Sequence, residues 1–341
     1  MFLPFSSFCV SALALSIMTF PHVAFSSPIV AYPPGTLLEN IAISSSGDLF
    51  VTAIDSGSIF RVSPAGTSQL FGAVPGPATG AAFNTDGNLI VASGTSLFRL
   101  ASDGAASQVA DIPGAIFLNG IALFSTDMIL AADDTASTIW MVNLLTGSSQ
   151  VWSNDPILLP GPDGPPFSPN GIKLFQGSVY VSNTGAGTII RIPILSNGLA
   201  GAPVVFLSSL FGDDFAFAAD GTLFVATQTG EIIRIAPNGT RTSLATNTFG
   251  DAAVAFGRTA ADHQSIYIVN NGGAFLDLPG GPEAASITRL AVGINGVVPE
   301  NQAIPEPSSF ALSCVGTVAL LFFFQNRRSG IDSTRDFPRN I

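Results

Sequence analysis

The chain has 341 residues, of which 47% are hydrophobic and only 10% are charged. Its net charge at neutral pH is −11, and Lys173 is the only lysine. A surface this acidic repels nucleic acids and anionic membrane surfaces, so electrostatic binding of the domain to either of them is not expected. The 35 glycines and 24 prolines suit a single domain with many short turns.

The N-terminal segment has the pattern of a secretory signal. Residues 10–20 are apolar, and the small residues Ala24 and Ser26 stand two positions apart, so we expect a signal peptide over residues 1–26. No basic residue precedes the apolar run, and the first one in the chain is Arg61. The alternative is therefore a buried strand.

A strand pattern then recurs along the chain with a period of roughly 40 to 50 residues. The most regular strand occurs six times, as GDLFVT at Gly47, GNLIVA at Gly87, DMILAA at Asp127, GSVYVS at Gly177, GTLFVA at Gly221 and SIYIVN at Ser265. Alternating apolar residues and Asx-Gly turns indicate antiparallel strands joined by tight hairpins. The sequence predicts an all-β, six-bladed β-propeller with four-stranded antiparallel blades over residues 29–296. The alternation excludes a helical solenoid.

The innermost strands of the six repeats supply the candidate site. They align as ENIAI, TGAAF, NGIAL, NGIKL, DDFAF and AAVAF, and their first positions are Glu39, Thr79, Asn119, Asn170, Asp213 and Ala252. In a propeller these positions converge on one mouth of the central channel. Four of them carry oxygen ligands that suit one Ca²⁺, namely Glu39, Asn119, Asn170 and Asp213.

Each of these residues also has an ordinary structural explanation. Asn119 and Asn170 precede glycine, as turn residues do, Asp213 could accept from backbone amides, and Glu39 could lie on a solvated rim. Their coincidence in one position of the repeat favours the metal site. The two cysteines, Cys9 and Cys314, lie in the terminal segments, so thiol chemistry and a zinc site are not expected.

Three segments resemble a known family of propellers. LENIAIS at Leu38, SPNGIKL at Ser168 and GDDFAFAADGTLFVAT at Gly212 are similar to SMP-30/gluconolactonase/LRE-like propellers, which include gluconolactonases and calcium-dependent phosphotriesterases. The resemblance covers residues 29–296 and implies that Glu39, Asn119, Asn170 and Asp213 hold a catalytic Ca²⁺. Asn119 lacks the preceding proline of its motif. Asp214 replaces a common glycine and is expected to add charge to the mouth or to narrow it.

The resemblance implies a Ca²⁺-dependent hydrolase of a lactone or related ester, with Asp213 as base or nucleophile. The alternative is a non-catalytic extracellular propeller that binds polysaccharide or protein, with structural Ca²⁺. The chain contains no Gly-x-Ser-x-Gly elbow, and His263 falls in a predicted hairpin loop, so acyl transfer through serine is not expected. Residues 153–169 form either a lid or an inert insertion, and the substrate, whether a small molecule or a polymer, stays open.

The C-terminal segment resembles a sorting signal. Residues 297–309 form a polar, proline-rich linker, residues 310–324 are apolar, and two arginines follow. Pro305-Glu306-Pro307, the apolar stretch and the arginines resemble the PEP-CTERM signal of Gram-negative bacteria over residues 304–328, which implies an exosortase-type processing protease. A polar tail follows at 329–341, and a plain C-terminal anchor is the alternative. We expect an exported monomer in the cell envelope or extracellular matrix, transiently anchored in the membrane by residues 310–324.

Overall fold

The computed structural model describes residues 27–245, 249–276 and 278–297. Within these ranges, strands form six four-stranded antiparallel sheets, which confirms the predicted six-bladed propeller. One short 3₁₀ helix, Pro156–Leu158, is the only helix among the described residues. No described helix is long and apolar enough to cross a membrane. The predicted signal peptide, and the linker, sorting signal and tail from residue 298 onward, lie outside the described residues.

Each of the first five blades is built from four strands that are consecutive in sequence. Blade 1 contains β2 (Leu38–Ile43), β3 (Leu49–Ala53), β4 (Ser58–Val62) and β5 (Ser68–Ala73), and blade 2 contains β6 (Ala78–Phe83), β7 (Leu89–Ser93), β8 (Ser96–Leu100) and β9 (Ala106–Asp111). Blade 3 contains β10 (Leu118–Leu123), β11 (Met128–Asp133), β12 (Thr138–Asn143) and β13 (Ser149–Ser153). Blade 4 contains β14 (Ile172–Phe175), β15 (Ser178–Asn183), β16 (Thr188–Pro193) and β17 (Val204–Ser208), and blade 5 contains β18 (Gly212–Phe217), β19 (Leu223–Thr227), β20 (Glu231–Ile235) and β21 (Arg241–Ala245).

Blade 6 takes its strands from both ends of the folded domain. It contains β22 (Asp251–Phe256), β23 (Ser265–Asn270) and β24 (Ala284–Ala291), and its outer strand is the N-terminal β1 (Val30–Pro34). Val30 pairs with Ile287 and Ala31 with Ser286, so the two ends of the propeller close the ring in one sheet. The repeat pattern did not indicate β1, because it lies outside the repeats and ends in two prolines, which are rare within strands.

The apolar residues pack between blades, and the central axis stays open. Six core clusters form among the described residues, and each joins two neighbouring blades. One example packs Phe50 of blade 1 against Ala81 and Val91 of blade 2. Because the face-to-face contacts between sheets hold the ring together, the axis is free to carry polar side chains.

The inner strands share an irregularity at their entry. In β2, β6, β10, β18 and β22 the pairing with the second strand shifts register within the first four residues. A bulge of this kind bends the strand and re-aims side chains, and bulges are common next to functional sites. The positions that the sequence singled out therefore lie where the strands depart from regular pleating.

Glycine follows the first position in three adjacent blades, at Gly80, Gly120 and Gly171. A Cβ atom on Gly120 would lie 2.5 Å from the carbonyl oxygen of Asn170, and one on Gly80 would collide with the carbonyl oxygen of Asn119. These glycines thus let neighbouring inner strands approach each other closely, which holds the backbone of both asparagines.

Gly120→Ala is expected to destabilise the propeller by about 3 kcal/mol, because rigid backbone must move to admit the methyl group. Urea unfolding at fixed Ca²⁺ concentration measures the change. Gly76→Ala is the control, since its new Cβ atom meets only the movable hydroxyl of Ser93 at 3.0 Å. Equal stability of the two variants would contradict the packing role of Gly120.

Candidate metal and active site

The four predicted ligands lie on four inner strands or at their entries, and all four are buried. Glu39 is 6% exposed, Asn119 5%, Asn170 8% and Asp213 7%. They come from blades 1, 3, 4 and 5 and start at the same mouth of the channel. The other two positions hold Thr79 and Ala252, which are also buried. Thr79 and Ala252 therefore flank Glu39 in the ring, and the other three candidate ligands come from the three consecutive blades 3, 4 and 5.

Asp213 is held by two amide side chains. Nδ2 of Asn170 donates to Oδ1 of Asp213 at 2.7 Å, and Nε2 of Gln228 donates to Oδ2 at 2.6 Å. The hydroxyl of Ser182 donates to the backbone carbonyl of Asp213 at 2.6 Å. Both carboxylate oxygens and the main chain are thus fixed, so the carboxylate is oriented before any ligand arrives.

Glu39 belongs to a second group, which blades 1 and 3 supply. Nδ2 of Asn119 donates to Oδ2 of Asp134 at 3.3 Å, and the Asn119 amide also lowers the pKa of Glu39. Because the amide nitrogen is committed to carboxylates, the amide oxygen of Asn119 is its only atom left to ligate a cation. The negative charges of Asp213 and Asp134 both act on Glu39, which links the two groups electrostatically.

The sequence analysis missed a second layer of contacts, which comes from residues directly after the second strand of a blade. Asp134 follows β11 and contacts Asn119, whereas Gln228 follows β19 and contacts Asp213. Thr184 follows β15 and its hydroxyl donates to the carbonyl of Gly212 at 2.9 Å. The signal for this layer was available, because the second strands align as clearly as the inner strands do.

Asp214 has a partner inside the channel. Oδ1 of Asp214 lies 2.5 Å from Nζ of Lys173, and the Asp214 side chain is only 4% exposed. The expectation that Asp214 adds charge to the mouth is therefore modified, because the lysine compensates that charge. No Lys or Arg of the described ranges forms a salt bridge with Glu39, Asp134 or Asp213.

The carboxylates without a basic partner, those of Glu39, Asp134 and Asp213, are destabilised in their charged forms. Burial raises the pKa of Glu39 well above its usual value, and the charge of Asp213 raises it further. Burial likewise raises the pKa of Asp213 to about 7, while the hydrogen bond from Gln228 opposes this rise. Burial also raises the pKa of Asp134. A cation placed among these groups would relieve both desolvation and mutual repulsion.

The donor set fits a hard cation. It offers carboxylate and amide oxygens, and the described residues contain no group of three or more His, Cys, Asp or Glu side chains placed to hold a metal by themselves. Amide oxygens of Asn119 and Asn170 would therefore have to complete the coordination, as amide oxygens do in Ca²⁺ sites. In addition, Oε1 of Gln228 is buried and has no hydrogen-bond partner among the described residues. This oxygen, on the side chain that contacts Asp213, could therefore face a bound cation.

Ca²⁺ binding should weaken as the pH falls below about 7. The folded-state pKa of Asp213 is about 7 against an ordinary 3.8, so the metal-free fold takes up a proton between these values. Protonation of Asp213 stabilises the metal-free fold at acid pH, and this stabilisation is lost as the pH rises through 7. Since Ca²⁺ must displace this proton, affinity should fall at least about tenfold for each pH unit below 7, and any excess over tenfold comes from the proton on Glu39.

Calorimetric titration of Ca²⁺ at about pH 8, 7 and 6 measures this dependence. In the Asp213→Asn variant, Ca²⁺ affinity should depend less steeply on pH, because the proton of Asp213 is absent. The part of the pH dependence that comes from Glu39 should remain. An affinity of the parent protein that does not change over this range would contradict the assignment.

Two further predicted features have defined places. Residues 153–169 run from the end of β13, the outer strand of blade 3, to the residue before Asn170. They pack on the end of β15 and the turn after it, where Nδ2 of Asn183 donates to the carbonyl of Leu159 at 2.8 Å and the amide of Gly185 donates to the carbonyl of Phe167 at 2.9 Å. His263 lies in the predicted hairpin loop between β22 and β23, at the opposite end of the channel. It is therefore remote from Asp213.

Solved structures with the same fold include calcium-binding and lactonase proteins. The calcium-binding protein regucalcin from Agrobacterium tumefaciens superposes with a TM-score of 0.62 and 18% identity, covering 83% of this chain and 97% of that one. A gluconolactonase from Xanthomonas campestris gives a TM-score of 0.60 and 16% identity over 77% and 88% of the two chains. A luciferin-regenerating enzyme superposes with a TM-score of 0.64 and 12% identity, covering 78% of this chain and 94% of that one.

These superpositions establish a shared fold, the six-bladed propeller of gluconolactonase- and regucalcin-like proteins. No family model matches the chain, and no curated protein is significantly similar to it in sequence. The function must therefore be argued from the site.

Proposed function

We propose that the protein is a Ca²⁺-dependent hydrolase of a lactone or related ester. The observation that carries this proposal is the buried cluster of Glu39, Asn119, Asn170 and Asp213, which four blades bring to one channel mouth and in which neither carboxylate is paired with a described basic residue. The lactonase and calcium-binding proteins that share the fold support the same class of activity.

Glu39, Asn119, Asn170 and Asp213 would hold the ion through their side-chain oxygens. When bound, Ca²⁺ supplies Lewis-acid polarisation of the substrate carbonyl. Glu39 contributes charge and has no assigned proton transfer. Asn170 and Gln228 hold Asp213 in one orientation, so that no reorientation is needed during reaction.

Asp213 acts either as a base or as a nucleophile. As a base, it takes a proton from the water whose oxygen bonds to the lactone carbonyl carbon; the ring C–O bond then breaks and the proton goes to the leaving oxygen. As a nucleophile, its carboxylate bonds to the carbonyl carbon, the ring C–O bond breaks and the leaving oxygen takes a proton from water; a second water then hydrolyses the resulting anhydride and regenerates the Asp213 carboxylate. Both routes yield the ring-opened hydroxy acid.

A substrate screen of the purified protein tests the proposal. We expect hydrolysis of a lactone or an arylester that EDTA abolishes and added Ca²⁺ restores. A chain that binds Ca²⁺ but hydrolyses no lactone, arylester or phosphotriester would overturn the enzymatic proposal. That result would favour the alternative of a binding propeller for extracellular polysaccharide or protein, in which Ca²⁺ is structural.

We also propose that the chain is exported and is held transiently at the cell envelope by its C-terminal segment. The signal-like residues 1–26 and the sorting-signal pattern over residues 304–328 support this. In a Gram-negative host that carries an exosortase-type protease, mass spectrometry should show a mature N-terminus near residue 26 and loss of the C-terminal segment. Replacing Pro305, Glu306 and Pro307 by alanine should block only the C-terminal cleavage. An intact N-terminus on a cytoplasmic product would contradict export.

A further inference from the structure

The side chain of Gln228 contains a buried oxygen atom that no described group satisfies. Its Oε1 atom is shielded from solvent and has no hydrogen-bond partner among the described residues, whereas its Nε2 atom donates to Oδ2 of Asp213 at 2.6 Å. An acceptor that is removed from water without gaining a partner destabilises the fold. The burial of this oxygen beside the candidate metal site is therefore unfavourable unless a ligand contacts it.

The orientation of the Gln228 amide follows from the chemistry of Asp213. An ionised carboxylate only accepts hydrogen bonds, so the nitrogen of the amide faces it and the oxygen is left over. Both amide atoms are bonded to the same carbon, so Oε1 stays close to the carboxylate. The main chain is held as well, because the amide of Gly250 donates to the carbonyl of Gln228 at 2.9 Å. The fold thus fixes a second acceptor beside Asp213.

The hydroxyl groups of the neighbouring segments donate elsewhere. Oγ1 of Thr227 donates to the carbonyl of Glu231 at 2.8 Å and lies 3.0 Å from Oγ1 of Thr229, which therefore donates to Thr227. The hydroxyl of Ser182 donates to the main-chain carbonyl of Asp213 at 2.6 Å. These described hydroxyls are all committed, so none of them supplies a proton to Oε1.

The equivalent positions of the other blades satisfy their side-chain oxygens. The residue directly after the second strand in blades 1 to 6 is Ile54, Gly94, Asp134, Thr184, Gln228 or Asn271. Both carboxylate oxygens of Asp134 accept hydrogen bonds, and the hydroxyl of Thr184 donates one. Oδ1 of Asn271 accepts from two main-chain amides of its own turn. Within this described set of six residues, only Gln228 keeps an oxygen without a partner.

A neutral oxygen suits the coordination that the candidate site still needs. Ca²⁺ takes about six to eight oxygen ligands, and the candidate site offers four side chains. Glu39 and Asp213 together balance the charge of the ion, so a further ligand need not be charged. Amide oxygens are ordinary Ca²⁺ ligands, and the oxygen of Gln228 is already desolvated beside Asp213.

We propose that Gln228 is a fifth Ca²⁺ ligand, which binds the ion through Oε1 while its Nε2 atom holds the carboxylate of Asp213. The proposal rests on the Ca²⁺ site of the proposed function, but it does not require that the protein hydrolyses a lactone. One amide would then fix both the ion and the carboxylate.

Replacements of Gln228 test this role by calorimetric titration of the full chain with Ca²⁺ at about pH 8. Gln228→Met has nearly the same size and no oxygen, so Ca²⁺ affinity should fall about tenfold. Gln228→Glu keeps an oxygen and loses only the donor to Asp213, so it should bind Ca²⁺ at least as tightly as the parent does. Thr229→Val, at an exposed position of the same turn, is the control and should leave the affinity unchanged.

The number of metal-bound waters separates a ligand from a residue that only orients Asp213. Eu³⁺ replaces Ca²⁺ in such sites, and its luminescence lifetimes in H₂O and D₂O count the waters bound to it. Gln228→Met should gain about one bound water, because a solvent molecule takes the free coordination position. Gln228→Glu and Thr229→Val should show the water count of the parent.

Several results would overturn the assignment of Gln228. Parent-like Ca²⁺ affinity in Gln228→Met would show that Oε1 does not bind the ion. Weaker affinity in that variant with an unchanged water count would show that Gln228 only orients Asp213. Should Gln228→Met fail to fold, Gln228→Thr introduces the residue that blade 4 has at this position, and its water count decides the question.

Failure of this proposal differs from failure of the proposed hydrolase. A protein that binds Ca²⁺ and shows the expected Gln228 effects, but hydrolyses no substrate, would support the fifth ligand and contradict the enzyme. Hydrolysis that depends on Ca²⁺, with no effect of Gln228→Met on affinity or water count, would support the enzyme and contradict the fifth ligand.

Discussion

Replacing Asp213 by asparagine is expected to lower kcat/KM for the substrate by about a thousandfold. Asparagine keeps an oxygen ligand of nearly the same size, but it can neither accept a proton at neutral pH nor act as a nucleophile. The side chain would still lie beside Asn170 and Gln228, which now hold both carboxylate oxygens at 2.7 and 2.6 Å. Ca²⁺ affinity should fall, because one charge is lost, without vanishing, because Glu39 remains.

Glu39→Gln is the matched control for this experiment. It removes the same charge from an equally buried position in blade 1, where no proton transfer is assigned. Assays at saturating Ca²⁺ should show much more activity in Glu39→Gln than in Asp213→Asn. If the two variants lose metal and activity in parallel, Asp213 is a ligand only. If both keep full activity, the reaction takes place elsewhere.

Removal of Ca²⁺ should lower the melting temperature by about 10 °C. A ligand at 100 to 1,000 times its dissociation constant stabilises the native state by about 3 to 4 kcal/mol, and each kcal/mol corresponds to about 2 to 4 °C in a domain of this size. Part of this gain comes from the carboxylates, since burial raises the pKa values of both Glu39 and Asp213. Scanning calorimetry in excess Ca²⁺ and in EDTA measures the shift.

The double variant Glu39→Gln/Asp213→Asn should melt at one temperature in both conditions, because it lacks both charged ligands. Mg²⁺ should replace Ca²⁺ poorly, since it requires smaller and more regular coordination. Identical melting curves of the parent protein with Ca²⁺ and with EDTA would show that the channel mouth holds no stabilising metal.

The sequence predicted the blades and the inner-strand positions because both depend on local patterns. Period-2 alternation and Asx-Gly turns mark each hairpin, and alignment of the repeats then places Glu39 and Asp213 at equivalent positions without any knowledge of the ring. The structure adds the contacts between them, such as the 2.7 Å hydrogen bond from Asn170 to Asp213.

Other features depend on contacts between distant segments. Gln228 and Asp134 reach the inner ring from second-strand ends, so their role appears only when two sets of repeats are compared. The ion pair between Lys173 and Asp214 joins blade 4 to blade 5, and no local sequence pattern around either residue predicts it.

Because blade 6 combines the first and the last strand of the described domain, its sheet can be completed only late in synthesis. Its outer strand, β1, emerges first during synthesis, whereas its partner β24 is among the last strands made. Until β24 is present, β1 has no native partner and the ring has an open seam between its first and last blades. The final structure is therefore reached only after nearly the whole domain has been synthesised, and joining strands so far apart in sequence is intrinsically slow.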